Sequence, residues 1–205
     1  MIRAVIFDYG GVVTDTAVTR IQYLRTLQDI ARSFHIPLGR VKDAVNKLLP
    51  QYQTGALDDE GFWRVFSQET NSSLPLDYRE LWMRHFSKIE WNTAVLELHR
   101  QLKKSGYKTP VLSNTIPPHA RFLREGNHYE GFNPVILSCE VGLMKPDERI
   151  YKLVLEEARC IAEECVYIDD RAELLKPAQT LGMHTIHFHN AAQLCMELSP
   201  LGVHP

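Results

Sequence analysis

Short apolar runs that end in polar turns recur along the chain: AVIF before Asp8, PVL before Ser113, VIL before Ser138, VYI before Asp169, and TIHF near the C-terminus. From Trp91 onward the segments between them repeat their apolar residues at helical intervals, as in Val95, Leu98 and Leu102 and in Ile150, Leu153, Val154 and Ala158. Short buried strands alternating with helices predict an α/β fold with a parallel sheet covered on both faces. Ligands of such sheets bind in the crevice beyond the carboxyl ends of the strands. Asp8, Ser113 and Asp169 all fall there.

Between about Thr16 and Lys88 the pattern changes. Strand-like runs vanish and helical spacing takes over, in Ile21, Leu24, Leu27, Ile30 and Phe34 and then in Val41, Val45, Leu48 and Leu49. A turn at TGALDDEGF, a helix through Phe62, Val65 and Phe66, a break at NSSLPLD and a last helix carrying Leu81, Trp82 and Phe86 complete the stretch. The expected organisation is a mostly helical insertion over residues 16–87, with its own apolar faces, between core segments 1–15 and 88–205. Asp58, Asp59 and Glu60 begin one of its helices, where acids complement the dipole. The last residues, SPLGVHP, read as a short tail.

Composition narrows the partners. Hydrophobic residues at 44% and charged residues at 23% are ordinary for a globular protein, and 205 residues can bury a sizeable core. A net charge of -2 gives no reason to expect a nucleic acid as partner. No run approaches the roughly 20 apolar residues of a membrane span, and Met1 leads straight into a strand-like segment. The expectation is a cytoplasmic protein, monomer or homodimer, acting on a small molecule. Trp63, Trp82 and Trp91 suit either a core or an interface. Cys139, Cys160, Cys165 and Cys195 lack C-x-x-C spacing and read as free thiols, not disulfides or zinc ligands. His184, His187 and His189 read as part of an exposed edge strand.

An aspartate after an apolar strand is a common turn former. The residues at the other strand ends change that reading. VLSNT puts Ser113 and Asn114 past a second strand, GLMKPDERIY puts Lys145 in a loop before Pro146, which can open a helix, and VYIDDR puts Asp169 and Asp170 past a third. Ser113 and Asn114 could also cap a following helix, as could the acid pair, with Pro177 marking a late helix start or a kink. A nucleophilic carboxylate, a hydroxyl donor, a lysine and an acidic pair together supply phosphoryl transfer: attack, oxygen stabilisation, charge neutralisation and a seat for Mg²⁺, which prefers hard oxygen ligands.

These four segments, in this order and spacing, resemble the motifs of the haloacid dehalogenase superfamily, and the insertion after the first resembles its helical (subfamily I) cap. The resemblance covers essentially the whole chain and is densest in GLMKPDERIY and VYIDDRAELLKPAQTLGMHTIHF. It implies a Rossmann-like core and a Mg²⁺-dependent phosphatase of small phosphorylated metabolites that works through an aspartyl-phosphate. On that basis Asp8 is the nucleophile, Ser113, Asn114 and Lys145 contact the phosphoryl group, and Asp8, Asp169, Asp170 and the Gly10 carbonyl hold the metal.

The first motif departs from the family pattern, reading D-x-G-G. Typical phosphatases of the family carry an acid at position 10, which protonates the leaving oxygen and later activates water. Gly10 removes that shuttle while keeping a carbonyl for the metal. General acid–base catalysis is worth about 10²–10⁴-fold, a minor share of enzymatic acceleration. A cap carboxylate, His119 or His128 could stand in for the acid, and Tyr9 packs or lines the pocket mouth. Two alternatives come with the resemblance. One is a 2-haloacid dehalogenase, whose pattern is D-x-Y-G-T, with tyrosine one place later than Tyr9. The other is a catalytically silent binding protein, suggested by Gly10 and by Leu174, where relatives often have asparagine.

Overall fold

A computed structural model describes residues 1–204. Five parallel strands form one sheet: β1 (Ala4–Phe7), β2 (Val111–Ser113), β3 (Val135–Leu137), β4 (Cys165–Asp169) and β5 (His184–His187), in the spatial order β3-β2-β1-β4-β5. The chain therefore starts in the centre, runs outward through β2 and β3, and returns to the other side of β1. The order reverses between β1 and β4, the kind of point where open α/β sheets bind ligands.

Ten helices accompany the strands. In chain order they are α1 (Thr16–Ser33), α2 (Leu38–Gln53), α3 (Asp59–Glu69), α4 (Met83–Phe86), α5 (Thr93–Lys104), α6 (Pro117–Glu125), α7 (Ser138–Val141), α8 (Glu148–Ala158), α9 (Lys176–Thr180) and α10 (Ala191–Leu198). Successive strand residues point to opposite faces. On one face Val5, Phe7, Val166 and Ile168 pack against Val95, Leu98 and Leu102 of α5 and Leu194 and Leu198 of α10. On the other, Ala4, Ile6, Cys165 and Tyr167 meet Ile150, Tyr151 and Val154 of α8.

Helices α1 to α3, with Leu81, Trp82 and Ile116, form a further apolar cluster. Phe62, fully buried, stacks on Tyr52 at 4.5 Å and meets the rings of Trp63 and Trp82 at 5.1 and 5.6 Å. Both tryptophans are buried here, whereas Trp91 is only half-buried beside the sheet. The two ends of this helical layer leave the sheet at one point. Thr14 bridges Trp91 in antiparallel fashion, flanked by hydrogen bonds from Asp15 N to the Glu90 carbonyl and from Asn92 N to the Val13 carbonyl, each 2.9 Å. No described helix is long and apolar enough to cross a membrane.

Four local expectations change. Ile21 and Leu24 of α1 are half exposed, because that end of the helix turns polar groups inward: Gln22 Nε2 donates to the Lys88 carbonyl, and the buried Asp29 accepts from Arg32 and Arg84 and pairs with His85. The helix expected around Leu81 to Phe86 is a short turn over Tyr78–Glu80 followed by α4, since Leu81 and Trp82 turn into the cluster instead of extending one face. Pro146 does not open α8. Asp147 caps it, its side chain accepting from Arg149 N, as a short acid at that position does well. The tail packs on the core over residues 199–204, where Val203 is fully buried and the Gly202 carbonyl accepts from the Tyr107 hydroxyl at 3.2 Å; Pro205 lies outside the described residues.

Replacing Phe62 by alanine removes the ring that four others contact, those of Tyr52, Trp63, Phe66 and Trp82, and leaves a cavity in the helical cluster. We expect a loss of about 3–5 kcal/mol, read as a lowered urea midpoint with an unchanged slope. A loss below about 1 kcal/mol would show that the cluster does not hold this layer together.

Candidate active site

The β1–β4 register pairs Phe7 with Ile168, so Asp8 and Asp169, one residue further along each strand, emerge side by side at the carboxyl edge. Asp170 follows in the next loop. Asp8, Asp169 and Asp170 can each present an oxygen such that all lie within 4.8 Å of one another. Three carboxylates at that separation repel strongly in a buried setting and are stable only with a cation among them.

The fixed cation is Lys145. Only 1% exposed, it directs its Nζ to three acceptors at 2.8 Å: Asp8 Oδ1, Asp169 Oδ2 and the Tyr167 hydroxyl. An ammonium has three protons, and all three are placed. Tyr167 in turn donates to Asp169 Oδ2. Burial works against the Lys145 charge, but Asp8 and Asp169 outweigh it and raise its pKa. The lysine is held from behind by Asn114, whose Oδ1 accepts from Lys145 N and whose Nδ2 donates to the Lys145 carbonyl, each at 2.8 Å. Neither Ser113 nor Asn114 caps α6, which begins after Ile116 without a side-chain cap.

The chain after Asp8 makes a wide turn over Tyr9–Val13. Gly11 has φ +92°, and a Cβ there would stand 2.7 Å from Asp170 Oδ2, so only glycine lets this turn approach the carboxylate. Gly10 differs. Its φ is -77° and nothing lies within 4 Å of where a Cβ would be, so a side chain has room there. Tyr9 is buried, its hydroxyl donating to the His128 carbonyl at 2.7 Å.

Burial pushes the Asp8 carboxyl up to about 7. Lys145 opposes the rise, and Asp169 and Asp170 add to it. Asp170 is also raised, by burial and then by Asp169. A carboxylate set that resists ionising together, built only of hard oxygen donors, fits a small divalent cation such as Mg²⁺. The histidines near the C-terminal strand form no such group: among the described residues the only metal-sized cluster is the aspartate triad. The four cysteines are free. Asp169 Oδ1 accepts from Arg171 N at 2.9 Å instead of capping a helix, and α9 starts late, with Pro177 in its first turn.

Beside the carboxylates lies a cavity of about 740 Å³. The sheet side contributes Gly10, Gly11, Ser113, Asn114 and Asp170 to its lining, and the helical layer Arg20, Tyr23, Leu49, Trp82 and Phe86. Arg20 reaches to 3.6 Å from Asp170 Oδ2. No carboxylate of the helical layer lines the cavity. Asp59, the nearest in spirit to such a group, is engaged by Tyr52 and Arg121 at 2.6 and 2.7 Å. His119 lines the cavity, but burial lowers it to about 4 and its Nε2 faces the Trp82 carbonyl. His128 stacks on Trp91 at 4.5 Å and does not line the cavity.

The chain belongs to the haloacid dehalogenase-like hydrolase family, whose profile matches residues 2–182. Mouse bifunctional epoxide hydrolase 2 is 26% identical over 219 residues, covering 96% of this chain but 38% of that protein. The chain thus spans well under half the length of that relative. D-ribitol-5-phosphate phosphatase from Bacteroides thetaiotaomicron is 26% identical over 215 residues, 97% of this chain and 98% of the other. Among solved structures, a haloacid dehalogenase family enzyme from Bacteroides thetaiotaomicron in complex with magnesium and inorganic phosphate shares the fold, with a TM-score of 0.74, 22% identity and coverage of 93% of this chain and 96% of that one.

The raised Asp8 couples cation binding to pH. Because the unfolded carboxyl ionises near its ordinary value of 3.8 and the folded one near 7, the metal-free protein loses stability from this group as pH rises through that window. A cation needs the ionised form, so Mg²⁺ should raise the melting temperature clearly at pH 8 and much less at pH 6. Equal gains at the two values would contradict the coupling.

Proposed function

We propose that this protein is a Mg²⁺-dependent phosphatase of small phosphorylated metabolites, with Asp8 as the nucleophile and residues 16–87 acting as a helical cap over core segments 1–15 and 88–205. The observation that carries the reading is the Lys145 ammonium, bonded to both Asp8 and Asp169 beside Asp170. A structural ion pair needs one carboxylate; two bonded to one buried lysine, with a third beside them that lines a cavity, suit a site that handles an anion and a cation together. The full-length similarity to a phosphatase supports the same chemistry. The carboxylate triad also favours it over metal-free displacement of halide.

In this reading an Asp8 oxygen forms a bond to phosphorus as the ester P–O bond breaks, and the electron pair leaves on the departing oxygen. Lys145 reduces the repulsion between the Asp8 carboxylate and the phosphate dianion. Ser113 donates to a phosphoryl oxygen. Asn114 acts through Lys145, by fixing its main chain. Asp169, Asp170, Asp8 and the Gly10 carbonyl hold Mg²⁺, which when bound neutralises phosphoryl charge. Water then forms a bond to phosphorus as the bond to the Asp8 oxygen breaks, and the released phosphate carries the water protons away while Asp8 returns to its carboxylate. Cap helices facing the strand ends exclude bulk solvent during the transfer.

The D-x-G-G form of the first motif leaves the departing oxygen without the acid usual at position 10; no carboxylate of residues 16–87 lines the cavity, and burial keeps His119, which does, uncharged. The leaving oxygen takes its proton from water, which favours groups that depart readily, such as acyl, anomeric sugar or aryl phosphates. Activity should be lost in Asp8→Asn and on chelation of Mg²⁺. Because position 10 has an ordinary φ and open space, Gly10→Asp should fold and accelerate alkyl phosphates by up to about 10²-fold, with little change for aryl phosphates. Turnover that survives Asp8→Asn, or equal rates across alkyl and aryl esters in the wild type, would count against the mechanism.

A further inference from the structure

The cavity divides by chemistry. Its charged lining residues are Arg20, Asp170, Arg171 and Glu173, and they form one connected group: Arg20 lies 3.6 Å from Asp170, and Arg171 lies 2.7 Å from Glu173. His187 joins the same end, its Nε2 at 3.1 Å from the Asp170 carbonyl. The rest of the lining is uncharged and mostly apolar: Leu49, Trp82, Phe86, Ile89, Ile116 and His119 supply most of it, beside the polar side chains of Gln22, Tyr23 and Gln53. Phe86 and His119 stack with centroids 3.5 Å apart, and Trp82 meets His119 edge-on at 6.3 Å. The depressed basicity of His119 keeps its ring uncharged at neutral pH, so it serves as one more flat face. Several hydroxyls along α1 are already engaged: Thr16, Thr19 and Thr26 donate to the carbonyls of Gly11, Asp15 and Gln22.

We propose that this uncharged wall selects phosphate monoesters with a bulky apolar leaving group over polyol phosphates. The proposal rests on the phosphatase reading for the charged end and adds the class of the leaving group. A cavity of about 740 Å³ lies in the upper part of the usual range for small-molecule sites, roughly 300–1,000 Å³, and exceeds the need of a short polyol. A polyol filling it would set most of its hydroxyls against Leu49, Phe86, Ile89 and Ile116, exchanging water for side chains that offer no partner. An apolar body gains by leaving water for the same surfaces, and an aromatic one adds ring contacts. Leu49 and Ile89, both half-buried, are the specificity-determining positions best suited to test this, since their replacement disturbs the cap core least.

The test uses pairs of esters matched in leaving-group acidity: 2-naphthyl against phenyl phosphate, and geranyl phosphate against glycerol 3-phosphate. The larger apolar member should show a kcat/KM at least about tenfold higher, carried mainly by KM. In Leu49→Asn and Ile89→Asn the ratio within each pair should fall below about threefold. Calorimetric binding of the same four compounds to Asp8→Asn reads the preference without turnover and should rank them alike. Equal constants within each pair, or a preference undiminished in both wall variants, would overturn the proposal. Selective binding of the apolar members with no turnover of any ester would sustain the wall assignment and overturn the phosphatase reading instead.

Discussion

Strand register places Asp8 and Asp169 side by side, and the structure then depends on one buried ammonium to make that tolerable. Lys145 cannot be treated as a separate interaction that stabilises by some increment. Removing a partner from a buried charge set leaves the others uncompensated, typically at a cost of about 3–5 kcal/mol. The surroundings are arranged accordingly. Asn114 holds the lysine main chain by both its polar atoms, Tyr167 supplies the third acceptor, and loops after β2, β3 and β4 converge on one point. That convergence brings Ser113 and Asp170 to the same cavity.

Much of this centre was legible in the chain itself. Asp8 and the acid pair follow apolar runs, so their position at the strand ends is a local property of the sequence, and Lys145 stands out in the loop before Pro146. Tyr167 was not legible as part of the site, because a tyrosine inside VYID reads as core. Its only signal is period-2 alternation, which puts it on the same face as Asp169. The bond from Asn114 to Lys145 joins residues 31 positions apart, and no local pattern encodes how two loops approach. The facing of α1 depends on contacts of the same non-local kind. Ile21 and Leu24 look like a buried stripe, but contacts from Gln22 and Asp29 to residues 84–88 decide which side turns inward.

The two glycines after Tyr9 show how little a sequence letter says about why a residue is present. Gly11 is compelled by its positive φ and by Asp170, against which any side chain would collide. Gly10 is under neither constraint. An acid is sterically permitted there, so its lack is a matter of chemistry, while the neighbouring glycine is a matter of geometry.

The bridge between Thr14 and Trp91 has a wider consequence. It makes the first and last residues of the helical layer neighbours in space, so the entropy needed to close that long excursion is already provided by the sheet side. The intervening segment can be lengthened, shortened or exchanged for another whose ends lie equally close, without moving Asp8, Lys145 or Asp169. Recombination at this seam would give one reaction centre many lids, and diversification of such a lineage would proceed by trading the whole excursion instead of altering it residue by residue.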